Sequence, residues 1–329
     1  MILSYSPLRI TFGGGGTDIE PFVSKYGGAV VNATIDRGVT VRYIDDGYQT
    51  ELSSRDFVKS YIINMHGPST VSSRMLDYLL RSGLRTGRII MSGDVPPGSG
   101  LGSSSAAMSA LVNLTSIIRK TKYNWESIAR ESYNIEKNYF HIVLGLQDPY
   151  AIALGGFKFM EFNGDGVKYE MLDKYGDFTS ELEKRIILIY TGHTRQSSEV
   201  LIDQVRAATQ GDQETTEKLL QLKEVAFRLR KAVIDNDYSE FDQAINYGWE
   251  IKKTLGQKTT NRRVDTIIES ALKNGASAAR LMGGGSQGFI LVLSRPGKIN
   301  ELQRAMMNAS NFVVRTSFDK RGTRRLFIR

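Results

Sequence analysis

Apolar and polar positions alternate through residues 29–44, AVVNATIDRGVTVRYI, and β-branched side chains dominate the run, which predicts a strand. The same character marks 86–94 (TGRIIMSGD) and 157–163 (FKFMEFN). Helical spacing predicts helices over 103–119 and 125–143. In the second of these, Ile128, Ser132, Ile135, Tyr139 and Val143 fall on one face and leave Glu136 on its flank. The pattern restarts with the apolar strand 186–190 (IILIY), followed by helices near 197–208, 214–235 and 239–254. A helix at 262–274, a strand, glycine turn and strand over 277–294, a helix near 298–308 and a strand at 312–316 complete the chain.

This order predicts two compact α+β halves with a boundary between 174 and 186, taken as 1–180 and 181–329. Two strands joined by a turn and flanked by helices give the second half a ferredoxin-like character.

Three glycine-rich segments punctuate the pattern. In Val95–Met108, VPPGSGLGSSSAAM, the prolines stop a strand, Gly98, Gly100 and Gly102 allow close backbone approach, and Ser103, Ser104 and Ser105 open a helix. Pro97, Ser99 and Leu101 complete the loop, whose several free N–H groups and positive helix end form one concavity that suits a polyphosphate. The loop is neither GxxxxGK[ST] nor GxGxxG. With no lysine in it, serine hydroxyls and Mg²⁺ must meet the phosphates, and a carboxylate has to come from elsewhere in the chain. Met282–Phe289, MGGGSQGF, spells both GxGxxG and GxSxG, but a strand follows it where each motif needs a helix, so it reads as a turn, with or without a ligand beneath it. Ser6–Asp18, SPLRITFGGGGTD, lets Gly14, Gly15, Gly16 and Thr17 pass close to a small polar molecule, with Asp18 as acceptor for sugar hydroxyls.

Composition narrows the chemistry. The chain has 329 residues, no cysteine and three histidines, His66, His141 and His193, which excludes thiolate catalysis and makes a histidine metal site improbable. There is no apolar run of membrane-spanning length and no signal-peptide pattern, so the expectation is a cytoplasmic protein without a membrane partner. The net charge of +8 points to anionic partners, either nucleic acid or phosphorylated compounds. The fifteen tyrosines and fourteen phenylalanines lie mostly in strand and helix patterns rather than clustered among basic residues, which argues against nucleic acid. The densest basic cluster, Lys320–Arg329, reads as a solvated face or frayed tail.

In this order the three segments resemble the GHMP kinases, the small-molecule kinase superfamily of galactokinase, homoserine kinase, mevalonate kinase and phosphomevalonate kinase, along nearly the whole chain. The resemblance implies a ribosomal-S5-like N-terminal domain, a ferredoxin-like C-terminal domain, and ATP and Mg²⁺ as cofactors. Within the superfamily, SPLRITFGGGGTD, YGGAVVNATID, QDPYA and GGFKFMEF are most similar to the kinases of D-glycero-D-manno-heptose 7-phosphate. These phosphorylate the anomeric hydroxyl to give the 1,7-bisphosphate on the route to GDP-heptose. The resemblance implies that Ser104 contacts Mg²⁺ and phosphate, Glu136 is the metal carboxylate, Asp148 faces the acceptor hydroxyl, Arg9 lies near the transferred phosphoryl, and Asp18 binds the sugar. Gly284 and Gly285 would cover the substrate. A sugar 7-phosphate also needs a distant cation, for which Arg195 in YTGHTRQSS is the candidate and Lys158 the reserve. The chain departs from the family in Asp148-Pro149 and in Gly285-Ser286-Gln287-Gly288. Another sugar, a sugar phosphate or an isoprenoid acid are the alternative substrates, with RNA binding a third reading. The oligomeric state is left open, a homodimer among the options.

Overall fold

The computed structural model describes residues 1–54, 59–62, 74–84, 86–96, 98–192, 205, 212–256 and 259–327. Strand β1 (Ile2–Gly13) leads through α1 (Phe22–Tyr26) to the long β2 (Gly28–Gln49), followed by β3 (Glu51–Ser54), β4 (Lys59–Ile62), α2 (Arg74–Arg81) and β5 (Thr86–Gly93). Next come α3 (Ser103–Ile118), α4 (Trp125–Asn134), α5 (Gln147–Leu154), β6 (Phe157–Asn163), β7 (Gly166–Met171) and α6 (Gly176–Arg185). The remainder is β8 (Ile186–Tyr190), α7 (Gln213–Ile234), α8 (Tyr238–Lys253), α9 (Arg262–Lys273), β9 (Ala276–Leu281), β10 (Phe289–Ser294), α10 (Ile299–Met306), β11 (Val313–Arg315) and β12 (Arg324–Leu326).

The strands form two sheets. In the first the order is β12-β1-β2-β5-β3-β4, with β6 on β2 and β7 on β6; the second is β11-β8-β10-β9 and antiparallel throughout. The length of β2 lets it serve two partners on the edge away from β1: Gly28–Ala33 pair with β6, and Val39–Ile44 pair with β5. In the second sheet the apolar runs of β8 and β10 are explained by burial on both faces. Ile186 and Leu188 join the large core shared with α7 and α8, whereas Ile187 and Ile189 join a smaller core with α9 and α10. Side-chain caps start α7, α8 and α9: Asp212, Asp237 and Asn261 accept from Thr215 N (2.8 Å), Glu240 N (2.9 Å) and Val264 N (3.0 Å).

Five phenylalanines join the halves. The Phe12 ring of β1 lies 5.5 Å from Phe157, 5.3 Å from Phe241 of α8 and 6.3 Å from Phe318, and Phe241 packs edge-on to Phe178 of α6 at 5.2 Å. Edge-to-face pairs of this kind add about 0.5–1.5 kcal/mol each beyond area burial.

Several expectations need correction. The helix expected over 125–143 is α-helical only to Asn134; Ile135–Tyr139 is a π-helical turn, with Phe140 N donating to Ile135 O at 2.9 Å, and Val143 lies beyond it. Within the cluster expected to be a solvated face or frayed tail, residues 320–327 are not frayed, because Arg324–Leu326 pairs with Tyr5, Ser4 and Leu3 of β1. Arg324 forks onto Asp319 at 2.7 and 2.9 Å and its guanidinium sits 4.6 Å from the Tyr5 ring centroid. The chain after 181 therefore does not stay in one half: its last strand returns to the first sheet. β7, α6 and β12 add to the expected elements. The helix expected near 197–208 lies outside the described residues except for Val205. Among the described residues no helix is long and apolar enough to cross a membrane.

Candidate active site

The serine-rich segment lies between β5 and α3. Gly98, Gly100 and Gly102 have φ of 74°, 80° and 76°, left-handed values that side chains resist. No side chain caps α3, whose N-cap is Gly102, so its first-turn amides are left for a ligand. Glu136 reaches this helix start from the π-helical turn. The wider turn brings its carboxylate inward from the flank that a 3.6-residue repeat assigns, and it is buried. It accepts from Ser104 Oγ at 3.0 Å and Ser105 Oγ at 2.8 Å. Burial pushes its carboxyl up to about 7, the two serines oppose the rise, and the Asp148 charge adds to it. Ser103 opens the same helix, Leu101 is buried, and Ser99 is buried with its hydroxyl unpartnered. Pro97 lies outside the described residues.

Arg9 and Asp148 meet, although 139 positions separate them. Arg9 Nε and an Nη donate to the two oxygens of Asp148 at 2.7 and 2.8 Å, and its other Nη donates to Gly100 O at 2.5 Å. Its backbone N–H donates to Leu101 O at 3.0 Å. A Cβ on Gly102 would stand 3.4 Å from Asp148 Oδ2. That is an ordinary contact; the left-handed φ and the Ile152 and Arg9 side chains, 3.1 and 3.3 Å from the same point, are what favour glycine there. Pro149 is in the first turn of α5, where its missing N–H costs no helical hydrogen bond.

The first glycine segment wraps tightly. A Cβ on Gly14 would fall 1.9 Å from Ala29 O, and Gly16 has φ 104°. Gly15 has more room, its nearest neighbour being the Thr11 side chain at 3.6 Å. Thr17 is fully buried, with its hydroxyl 2.8 Å from Gly14 O and accepting from Ala29 N at 3.0 Å. It closes the turn rather than lining a site. Asp18 is buried too, and accepts from Gly16 N at 3.1 Å and Gln147 N at 3.0 Å. Burial raises its carboxyl above the usual range, and the backbone donors oppose the rise. Asp18 therefore anchors the segment that carries Asp148.

The third glycine segment closes against the second. A Cβ on Gly100 would lie 2.7 Å from Met282 O, and one on Gly283 would lie 2.6 Å from Gly100 Cα. Phe289 N donates to Ser99 O at 3.0 Å. Gly284 and Gly285 are half-buried in this turn. Ser286, where the family pattern has glycine, takes φ 56° and is held by Thr259 O and the Asn261 side chain.

Two residues that sequence reasoning missed complete the arrangement. Lys252 Nζ donates to Gly283 O at 2.7 Å, and Arg280 donates to Phe12 O at 2.6 Å; both side chains are buried. Burial first and mutual repulsion second lower Lys252 to about 7; burial, with Arg9 nearby, lowers Arg280 to about 10. The signal was present: Phe241, Ile245 and Trp249 form a buried stripe on α8 that Lys252 continues at helical spacing. Lys158, the reserve cation, is fully buried with Nζ on Gly156 O at 2.9 Å, so it is not available to a ligand. Arg195 lies outside the described residues.

Residues 70–156 match the GHMP kinases N terminal domain and residues 229–311 the GHMP kinases C terminal domain. The first span holds the serine loop, Glu136 and Asp148; the second holds Lys252, Arg280 and the glycine turn. The D-glycero-alpha-D-manno-heptose 7-phosphate kinase of Campylobacter jejuni is 29% identical over 340 residues, covering 98% of each chain. The bifunctional fucokinase/GDP-fucose pyrophosphorylase of Arabidopsis thaliana is 26% identical over 94% of this chain, which spans 31% of that protein. A crystal structure of a D-glycero-D-manno-heptose 1-phosphate kinase from Bacteroides thetaiotaomicron covers 100% of both chains with 26% identity and a TM-score of 0.79. The three converging glycine segments and these likenesses agree: the chain belongs to the GHMP kinases and is an ATP-using kinase with that family's N- and C-terminal domains.

Proposed function

We propose that this kinase transfers the terminal phosphoryl group of ATP to the anomeric C1 hydroxyl of D-glycero-D-manno-heptose 7-phosphate, giving the 1,7-bisphosphate used on the route to GDP-heptose. The observation that carries this reading is the Asp148 carboxylate, forked by Arg9 at the edge of an uncapped, glycine-rich helix start. The heptose assignment draws on the Campylobacter relative's substrate and on the Asp18 segment packed beside Asp148.

In the reaction the C1 oxygen forms a bond to the γ-phosphorus, the bond from that phosphorus to the β,γ-bridging oxygen breaks, and ADP leaves. The C1 hydroxyl proton passes to the Asp148 carboxylate. Transfer through a loose transition state depends on alignment and charge neutralisation. Arg9 serves both: its fork fixes Asp148, its bond to Gly100 O ties acceptor and donor loops together, and its charge lies beside the transfer path. The α3 amides hold the polyphosphate.

Glu136 with Ser104 and Ser105 is a set of hard oxygen donors, and a carboxyl held near 7 by burial calls for a cation to keep it ionised. The set fits Mg²⁺. Bound there, Mg²⁺ supplies charge neutralisation to the polyphosphate. The 7-phosphate remains assigned to Arg195 on sequence grounds alone.

The test is a substrate panel with Mg-ATP: heptose 7-phosphate, heptose 1-phosphate, free heptose, fucose and mevalonate. Heptose 7-phosphate is expected to lead in kcat/KM, with product phosphorylated at C1 by ³¹P NMR. Preference for heptose 1-phosphate or mevalonate would overturn the substrate and leave the kinase assignment standing. Asp148→Asn is expected to lower kcat by roughly 10²–10⁴-fold, the usual worth of a general base, with ATP affinity little changed. An active variant would remove Asp148 from the proton transfer.

A further inference from the structure

Arg9, Lys252 and Arg280 come from β1, α8 and β9 and are tied to the three glycine segments, Arg9 at Gly100 O, Lys252 at Gly283 O and Arg280 at Phe12 O, close enough for their charges to act on one another. The carboxylates that attract Lys252 are Asp18 and Asp148. Both are already engaged, Asp148 by the Arg9 fork and Asp18 by backbone amides. Arg280 is buried with Nε unpartnered, although another of its nitrogens holds Phe12 O. The cluster thus has three basic side chains against two carboxylates. A buried excess cation is costly in a resting protein unless an anion joins it or a proton leaves. Lys252 is the member that can lose its proton, since a guanidinium holds its own far more tightly.

We propose that Lys252 is a proton-linked positioning residue: its ammonium clasps Gly283 O, holds the glycine turn on the phosphate loop, and is completed by a proton when the substrates' phosphates enter. The inference rests on the active-site reading above and adds a step to it. Gly283 and Gly100 already touch, so a bond to Gly283 O acts directly on the loop that Arg9 and Asp148 share. Arg280 performs the matching task at Phe12 O, fixing the end of β1 that leads into the Asp18 segment.

The groups facing Lys252 are Arg280 and Arg9, which oppose its charge, and Asp18 and Asp148, which favour it. Burial is the largest influence, and together these hold it at about 7, so at pH 8 the amine is mostly neutral. Phosphate anions would restore the proton.

Calorimetry of Mg²⁺ and a non-hydrolysable ATP analogue, with and without heptose 7-phosphate, in two buffers of different ionisation enthalpy at pH 8 reads this directly. The wild-type protein is expected to take up more protons than Lys252→Met, by up to about one per site. Glu136 is present in both proteins, so protons it releases cancel in the difference. In kinetics, Lys252→Met should lose at least about tenfold in kcat/KM at pH 7, the scale of one charge-assisted contact. Lys252→Arg should retain activity and lose the wild-type decline of kcat/KM above neutrality. Removing a buried charge without a salt partner should leave the melting temperature of Lys252→Met equal or higher, whereas a merely structural lysine would lower it. Equal proton uptake and an unchanged alkaline limb in Lys252→Met would overturn the inference. Asp148→Asn separates the two readings: an inactive Asp148→Asn beside an unaltered Lys252→Met sinks only the role of Lys252, while an active Asp148→Asn sinks the site.

Discussion

At the scale of single residues, Glu136 shows how a functional group can oppose stability. Its folded carboxyl is held at about 7 against an ordinary value of 4.5, so between those pH values the folded protein binds a proton that the unfolded chain does not. Stability from this group is complete below about pH 4.5 and is lost as pH rises to about 7, beyond which the buried carboxylate is charged in the folded state. Gln at this position keeps the shape and cannot ionise. Glu136→Gln should therefore melt higher than wild type at pH 8 in EDTA, with the two curves converging near pH 4.5. The same variant should need more Mg²⁺ for half-maximal rate, because it removes the charged oxygen donor. Thermal melts across pH check the first effect and a Mg²⁺ titration of the rate checks the second. A wild-type protein that melts higher at pH 8 would show that Glu136 is not the strained group described.

At the scale of elements, the glycine segments work as fitted surfaces. Gly283→Ala would place a Cβ 2.6 Å from Gly100 Cα at φ 75°, in contact with backbone that cannot swing aside. The turn must lift off the phosphate loop, and kcat/KM should fall at least about tenfold with a smaller effect on melting temperature. Gly297→Ala, also at positive φ but with nothing within 4 Å, is the control for backbone strain alone. Equal losses of activity in the two would show that the close approach does not matter. These segments were legible in the sequence because a run of glycines with serines at a helix start has few other physical uses. Three helices after 212, α7, α8 and α9, were legible for a similarly local reason: Asp212, Asp237 and Asn261 cap runs of helical spacing. What escaped depends on partners far along the chain. A 3.6-residue repeat leaves Glu136 on a flank, and only the π-helical turn aims it at Ser104. Arg9 and Asp148 were each assigned to the site by resemblance, but their fork is a property of the fold. Lys252 ends an apolar stripe and looks like the polar close of a helix until Gly283 is brought beside it.

At the scale of the whole molecule, the C-terminal segment binds the two sheets and the active-site helix together, and its charge conceals that role in the sequence. Asp319 O accepts from Gly156 N at 2.8 Å, Asp319 N donates to Thr34 O at 2.9 Å, and Thr323 Oγ1 lies 2.8 Å from Ser6 Oγ. Gly155 and Gly156 directly follow α5, the helix that carries Asp148, so the strap reaches the catalytic element through its C-terminal end. Phe318 is its apolar anchor: 8% exposed, with its ring 5.4 Å from Phe157 and 6.3 Å from Phe12. Truncating a buried Phe costs about 3–5 kcal/mol, which for a chain of this size is a fall in melting temperature on the order of 5–10 °C. Phe318→Ala should show that fall. Its kcat/KM at 25 °C should stay within about twofold of wild type, because Asp148 is oriented at the other end of α5 by Arg9 and the Asp18 segment rather than by the strap. Melting curves and steady-state rates on the same preparation decide the matter. A Phe318→Ala protein with wild-type melting and a large loss of activity would mean that the strap orients the catalytic helix, while loss of both in proportion at 25 °C would mean that the shared phenylalanine core, not the Arg9 fork, holds Asp148 in place.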